Sequence, residues 1–174
     1  MIFGYLFPPR LILVFCFLCS FSIGYGQKFD WAKHFVSDGH TYAGALDLDP
    51  SGNVILNISI GNSVSTSSNT VDIDPGPSVV TVTKRGFWDH VVAKFDPQGN
   101  LLWYFHIGDS LSYGLINKLK VNSSGEIYTL GYVAGSVDYD PGPGTAILSN
   151  SNTITNIVLA KYDAKGNYLW AKKM

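Results

Sequence analysis

The chain has 174 residues, 46% hydrophobic and 14% charged, with a formal net charge of −1. That composition excludes a disordered tail and a polycation. With twelve Lys and Arg against thirteen Asp and Glu, there is no basic surplus to hold nucleic acid or an anionic membrane surface.

Residues 1–26 stand apart from the rest. Arg10 is their only charged side chain; it precedes the apolar run LILVFCFL (11–18), and a more polar stretch, 20–26, follows. This order predicts a secretory signal peptide cleaved before Gln27, and hence an exported protein, secreted or held at the cell surface. The mostly apolar run 11–23 counts thirteen residues, short of the ~20 that cross a bilayer as a helix. No membrane span is expected after cleavage. Both cysteines, Cys16 and Cys19, fall inside this segment, so disulfides are not expected to staple what remains. Cys19 is a poor lipid-attachment site, because Leu18 before it is bulkier than such sites usually take.

Short runs of Val, Ile, Thr, Tyr and Phe, broken by eighteen Gly and eight Pro, make residues 27–174 a strand-and-turn sequence. One orphan strand is expected around 29–35, within 27–41. In 42–108 four strands are expected, at 42–49, 53–60, 90–96 and 100–107. In 109–174 four more are expected, at 115–122, 126–133, 156–163 and 167–173. No segment has a 3.6-residue apolar period, so no substantial helix is expected. Four tetrapeptides, DPSG (49–52), DPQG (96–99), NSSG (122–125) and DAKG (163–166), join these strands in pairs. Each begins with Asp or Asn to hydrogen-bond the following backbone and ends with Gly to accept a positive φ, the chemistry of a type I turn with a glycine bulge.

The two sets of four strands are copies of each other. VVAKFDPQGNLLW (91–103) and VLAKYDAKGNYLW (158–170) agree at eight of thirteen positions, offset by 67. TVDIDPGPS (70–78) and SVDYDPGPG (136–144) agree at six of nine, offset by 66; LDLDPSGNV and LKVNSSGEI align at an offset of 73. The difference places about seven extra residues in the first copy, in the polar stretch 61–69, where a loop absorbs them. Trp31-Ala32-Lys33 repeats Trp170-Ala171-Lys172 as a third trace. A four-stranded unit of this kind cannot bury both faces alone and must stack on neighbours.

The run VDYDPGPG, then VLAKYD, a GN turn and LWAK, resembles the repeats of secreted bacterial β-propellers of the SBBP type, seven-bladed β-propeller-like repeats. The resemblance covers about 46–174 and implies blades around a central channel on an exported or cell-surface protein, with no single shared activity. The fold class it implies is all-β, with two four-stranded antiparallel propeller blades, 42–108 and 109–174, after a signal peptide. Propellers close with four to eight blades. Two blades and one orphan strand are therefore an incomplete ring, which further blades or self-association would close.

Candidate chemistry is sparse. Asp72 and Asp74, and again Asp138 and Asp140, are i, i+2 pairs that on a strand point to one face; each pair could hold a hard cation such as calcium. The plainer reading is that Asp before Pro-Gly-Pro ends a strand and shapes a turn. Asp47-x-Asp49-x-Ser51-Gly52 opens like a calcium loop, but its twelfth position is Ile58 rather than an acid. Gly108-Asp109-Ser110-Leu111 spells an esterase motif, yet no Asp-x-x-His follows it, and it reads as a connection between blades. His34, His40, His90 and His106 lack zinc-site spacing and read as scattered residues. Lys94 and Lys161 are expected opposite the core with their stems over apolar surface. Trp31, Trp103 and Trp170 recur once per repeat, as packing between blades requires.

No catalytic, cofactor-binding or metal-binding residue is assigned, and no cofactor is expected. The sequence points to an exported, non-catalytic propeller segment whose loops or channel bind protein or glycan at the cell surface, or which is purely structural. The alternative is the N-terminal part of a larger secreted enzyme, for example a glycan-degrading one, with its active site elsewhere. Positions that differ between the copies carry the functional information, chiefly 61–69 and 105–113.

Overall fold

A computed structural model describes residues 29–61, 69–109, 113–151 and 154–174. The signal-peptide expectation, residues 1–26, lies outside them. Contacts divide the chain between Asp30 and Trp31, and every element below belongs to the part from Trp31 to Met174. The described residues contain thirteen strands and no helix: β1 (Val36–Ser37), β2 (Thr41–Leu48), β3 (Val54–Gly61), β4 (Thr70–Asp72), β5 (Thr81–Thr83), β6 (Trp88–Phe95), β7 (Leu101–Ile107), β8 (Tyr113–Val121), β9 (Ile127–Ala134), β10 (Ser136–Asp138), β11 (Ile147–Ser149), β12 (Asn156–Tyr162) and β13 (Tyr168–Lys173).

Two four-stranded antiparallel sheets carry the fold, β2-β3-β6-β7 and β8-β9-β12-β13. Their strands are the eight expected, with ends shifted by at most two residues. Each sheet pauses in the middle of its meander for a small hairpin. In the first sheet this is β4-β5, extended by β1 into a three-stranded sheet; in the second it is β10-β11. These hairpins were not expected, and the orphan strand lies later than expected, as β1 beside β4 rather than over 29–35.

The sheets are copies down to their irregularities. A bulge interrupts β2 between Ala43 and Leu46, and β8 between Ile116 and Lys118; another recurs at Lys94/Phe95 and at Lys161/Tyr162. All four tight turns use the same bonds. At the first, the Gly52 N–H donates to Asp49 O at 2.9 Å, while Asp49 Oδ1 accepts from the Ser51 and Asn53 amides at 2.8 and 2.9 Å. Gly52, Gly99, Gly125 and Gly166 close these turns at φ of 80, 79, 78 and 85°, a conformation that strains any side chain.

One substitution between the copies is compensated across four residues. In the first, the Lys94 ammonium lies 2.8 Å from Asp49, the opening residue of the turn; in the second, that residue is Asn122, and Lys161 instead lies 2.9 Å from Glu126, the residue that follows the turn. The carboxylate has moved and the ion pair has survived. Lys161 also sits 5.2 Å above the Tyr128 ring, on the face opposite the core residues Val158, Ala160 and Tyr162, as expected. Lys94 departs from expectation: it shares a face with Val92, which packs against the second sheet. Burial alone would raise the Asp49 pKa, but bonds from Asn53, Lys94 and the turn amides bring it down to about 2. The first pair is the more enclosed, and exposed ion pairs contribute little. Lys94→Met should therefore lower the Tm more than Lys161→Met, and equal shifts by calorimetry would contradict this account of the pairs.

The core lies in two layers. Ile55, Val92, Phe105 and Ile107 of the first sheet face Ile116, Leu119, Ile127, Val158, Ala160 and Tyr162 of the second. The other face of the first sheet, with Ile58, Ile60, Val91, Ala93 and Phe95, is covered by Val71 of β4, Ile73 just after it, Val82 of β5 and Phe35. Trp103 of the first sheet lies over Gly166 of the second, and Trp31 lies over Gly99 in the corresponding place. Both glycines are where a Cβ would press on the indole. Trp31 and Trp103 thus pack between successive units, as their recurrence implied.

Candidate functional site

Residues that recur build the repeat, so chemistry is sought where the copies differ and the differences converge. They converge where β8 meets the first sheet. β8 is an edge strand, and its outer carbonyls have no strand to pair with, a costly state once buried. Two side chains of the first sheet take that role. Asn57 donates from Nδ2 to Ile116 O at 3.3 Å, and His90 bonds through Nε2 to Gly114 O at 3.1 Å. The second copy has Leu130 and Ile157 at these positions.

The carbonyl of Gly114 can only accept, so Nε2 of His90 carries the proton. Nδ1 then faces Ser59 Oγ at 3.2 Å and accepts its hydroxyl proton. Burial lowers the His90 pKa to about 4, from 6.5 for an ordinary histidine, against the opposing pull of Gly114 O and Asp89; His106 adds to the lowering. Between those two values the unfolded chain binds more protons than the folded one. Stability is therefore full above pH 6.5 and is lost as pH falls through 4, by about 3 kcal/mol in all. Urea titrations should show this loss in the native protein and a flatter profile for His90→Gln; matching profiles would contradict the buried neutral imidazole.

Beside this contact, a cleft of about 350 Å3 opens between the first strands of the two sheets, lined by Tyr42, Gly44, Ser59, Trp88, Tyr113 and Asn117, among others. The Tyr42 and Trp88 rings stand 5.3 Å apart, tilted by 49°, on the side of the first sheet; Tyr113 lies 6.2 Å from Tyr132 on the other. Tyr42 and Tyr113 are exposed, by 53% and 43%. A smaller cavity of about 20 Å3, room for one water, shares Trp88, Leu115 and Ile116 with the cleft.

A second, charged groove runs beside β7, with Arg85, Tyr104, His106, Asp138 and Asp140 along it. His106 Nε2 lies 2.7 Å from Oδ2 of Asp89, a carboxylate with no exposed surface. Asp89 also accepts from the Arg85 and Gly86 amides at 2.6 and 3.0 Å. Gly108 leaves the space that this carboxylate fills; a Cβ there would overlap it. His90 and His106 are therefore not scattered, as the sequence suggested, but lie on adjacent strands on either side of Asp89. In the second copy this pair becomes Asn156 and Lys173.

The sequence-derived candidates fall as follows. Asp72 Oδ1 accepts from the Asp74 and Val80 amides at 3.1 and 2.9 Å, and Asp138 Oδ1 from those of Asp140 and Ala146 at 3.0 and 2.7 Å. Asp74 and Asp140 fold onto the amides of Gly76 and Gly142, each at 2.8 Å. These bonds shape the turn, and among the described residues no three His, Cys, Asp or Glu are grouped to hold a metal ion. Asp49 is taken up by its own turn and by Lys94. Ser110 and Leu111 of the esterase-like tetrapeptide, and 62–68 of the insertion, lie outside the described residues. His34 and His40 are exposed. Sequence reasoning missed Trp88, Tyr42 and Asp89. The available signal was that Trp88 alone of the four tryptophans does not recur, its counterpart being Thr155.

No family model matches the chain, and no curated protein matches it.

Proposed function

We propose that the chain is an exported, non-catalytic segment of a β-propeller, whose two four-stranded sheets are blades and whose role at the cell surface is to bind a ligand or build a scaffold. One observation carries this reading. The face of the second sheet that corresponds to the first sheet's covered face holds Leu130, Tyr132 and Ile157, and Leu130 and Ile157 are 38% and 52% exposed. Their buried counterparts are Asn57, Ser59 and His90. An exposed face more apolar than its buried equivalent is a face made to be covered. The repeat supplies the cover, a further sheet of the same make stacked as the second is on the first. The SBBP-type motif order and the predicted signal peptide support the propeller and export parts of the reading.

Export is tested by expressing the full chain with its own leader in a bacterial host and sequencing the N-terminus of protein recovered outside the cytoplasm. A chain beginning at Gln27 is the expected result. Recovery only in the cytoplasm, still beginning at Met1, would overturn it.

A further inference from the structure

We infer that the cleft between Tyr42, Trp88 and Tyr113 is a binding subsite for a neutral carbohydrate; this rests on the binding reading above and names its ligand class. The first support is composition. Among the described residues lining the cleft there is no charged side chain. A phosphate, carboxylate or ammonium group entering it would meet no counter-charge in return for the water it displaces. The polar groups present, the Tyr hydroxyls and the Asn117 amide, with Ser59 Oγ as an acceptor only, are neutral and suited to ring hydroxyls.

The second support is shape and exposure. A sugar ring is flat on its C–H face and polar at its rim, so it needs an aromatic platform beside neutral hydrogen-bonding groups. Tyr42 and Trp88 stand together at the cleft, with Tyr42 half exposed. Exposed aromatic area of this kind marks binding grooves. The volume also falls in the range of small-ligand sites.

The third is the repeat. Tyr42, Ser59 and Trp88 correspond to Leu115, Tyr132 and Thr155 in the second copy, so stacking does not call for these residue types. Trp88 also rests against a glycine, Gly61, but Thr155 at the equivalent place shows that the repeat does not require an indole there. Asn117 lies in the bulge of β8 and is exposed, and Gly44 lies in the corresponding bulge of β2. Bulges commonly re-aim side chains at binding sites.

The test is titration of the full chain with cellohexaose, xylohexaose, mannohexaose and chitohexaose, followed by tryptophan fluorescence, with oligogalacturonate as the charged control. At least one neutral oligosaccharide should bind and oligogalacturonate should not. Tyr42→Ala should weaken binding about tenfold, and Asn117→Ala should weaken it as well. Both side chains are exposed, so each variant should keep the native circular dichroism. Trp88→Phe should bind and Trp88→Ala should not. Failure of all four neutral sugars would overturn the ligand class, and binding unchanged in Tyr42→Ala and Asn117→Ala would overturn the site. Either failure leaves the export reading standing, because the N-terminal sequencing above reads it separately.

Discussion

Tyr162→Ala should destabilise the protein by about 3–5 kcal/mol, the cost of deleting a large buried aromatic side chain. Tyr162 has no exposed surface. Its ring lies 4.5 Å from Phe105 of the other sheet and 6.3 Å from Tyr168 of its own. Its hydroxyl donates to Tyr139 O at 3.2 Å, and burial raises its pKa well above the usual phenol value. The side chain therefore joins three things: the second sheet, the hairpin inserted into it and the facing sheet. Tyr162→Phe keeps the ring and strands only the carbonyl, so it should cost about 1 kcal/mol. A coupling of about 1 kcal/mol between Phe105→Ala and Tyr162→Ala in a double-mutant cycle would register the contact between sheets. Additive losses in urea denaturation would mean that the two rings do not meet.

Asp89→Ala should cost a similar amount, about 3–5 kcal/mol, because it removes one partner from a buried pair. Three donors converge on this carboxylate, the Arg85 and Gly86 amides and His106 Nε2, and an alanine side chain offers none of them an acceptor. Asp89→Asn keeps one acceptor oxygen but turns its amide toward at least one N–H. Its loss should be smaller than that of the alanine variant and larger than that of an exposed control such as Asn117→Ala. Equal stability of Asp89→Ala and the native protein in calorimetry would contradict the three-donor arrangement. The second copy shows a milder solution at this position: Asn156 there accepts from Asn150 Nδ2 at 2.8 Å.

The all-β class and the eight long strands were legible because two local signals agree on them. Apolar runs of strand length end in Asp-x-x-Gly or Asn-x-x-Gly turns, and each turn's bonds are made within five residues, so sequence alone determines them. The hairpins β4-β5 and β10-β11 were not legible. Strands of three residues, TVD and TVT in the first copy, are too short to show alternation, and the Asp-Pro-Gly-Pro signal between them reads simply as a turn. β1 was misplaced because Trp31-Ala32-Lys33 matches strand residues of the later copies. In the structure Trp31 bonds to Pro97 O at 2.9 Å, and only Val36 and Ser37 enter a ladder.

The site was less legible than the fold. Asp89, His90 and His106 look unrelated in sequence; register alone brings them together, with Val91 opposite His106. Asn57 reads as a polar interruption of an apolar strand, and its reason lies in the carbonyls of β8, 59 residues away. Looking where the copies differ selects one stretch that holds His106 and Tyr113. Tyr42 and Trp88–His90 fall outside both stretches, because substitutions within matched strands change single residues and leave the alignment intact.

The central claim is that successive sheets of one make stack by a common rotation and that the second sheet's Leu130, Tyr132 and Ile157 face takes the next. A crystal or electron cryomicroscopy structure of the protein measures this directly. The prediction is a third four-stranded sheet over that face, related to the second by the rotation that relates the second to the first. A structure in which that face is bare to solvent or covered by a helix, with the two sheets forming a closed sandwich, would contradict it.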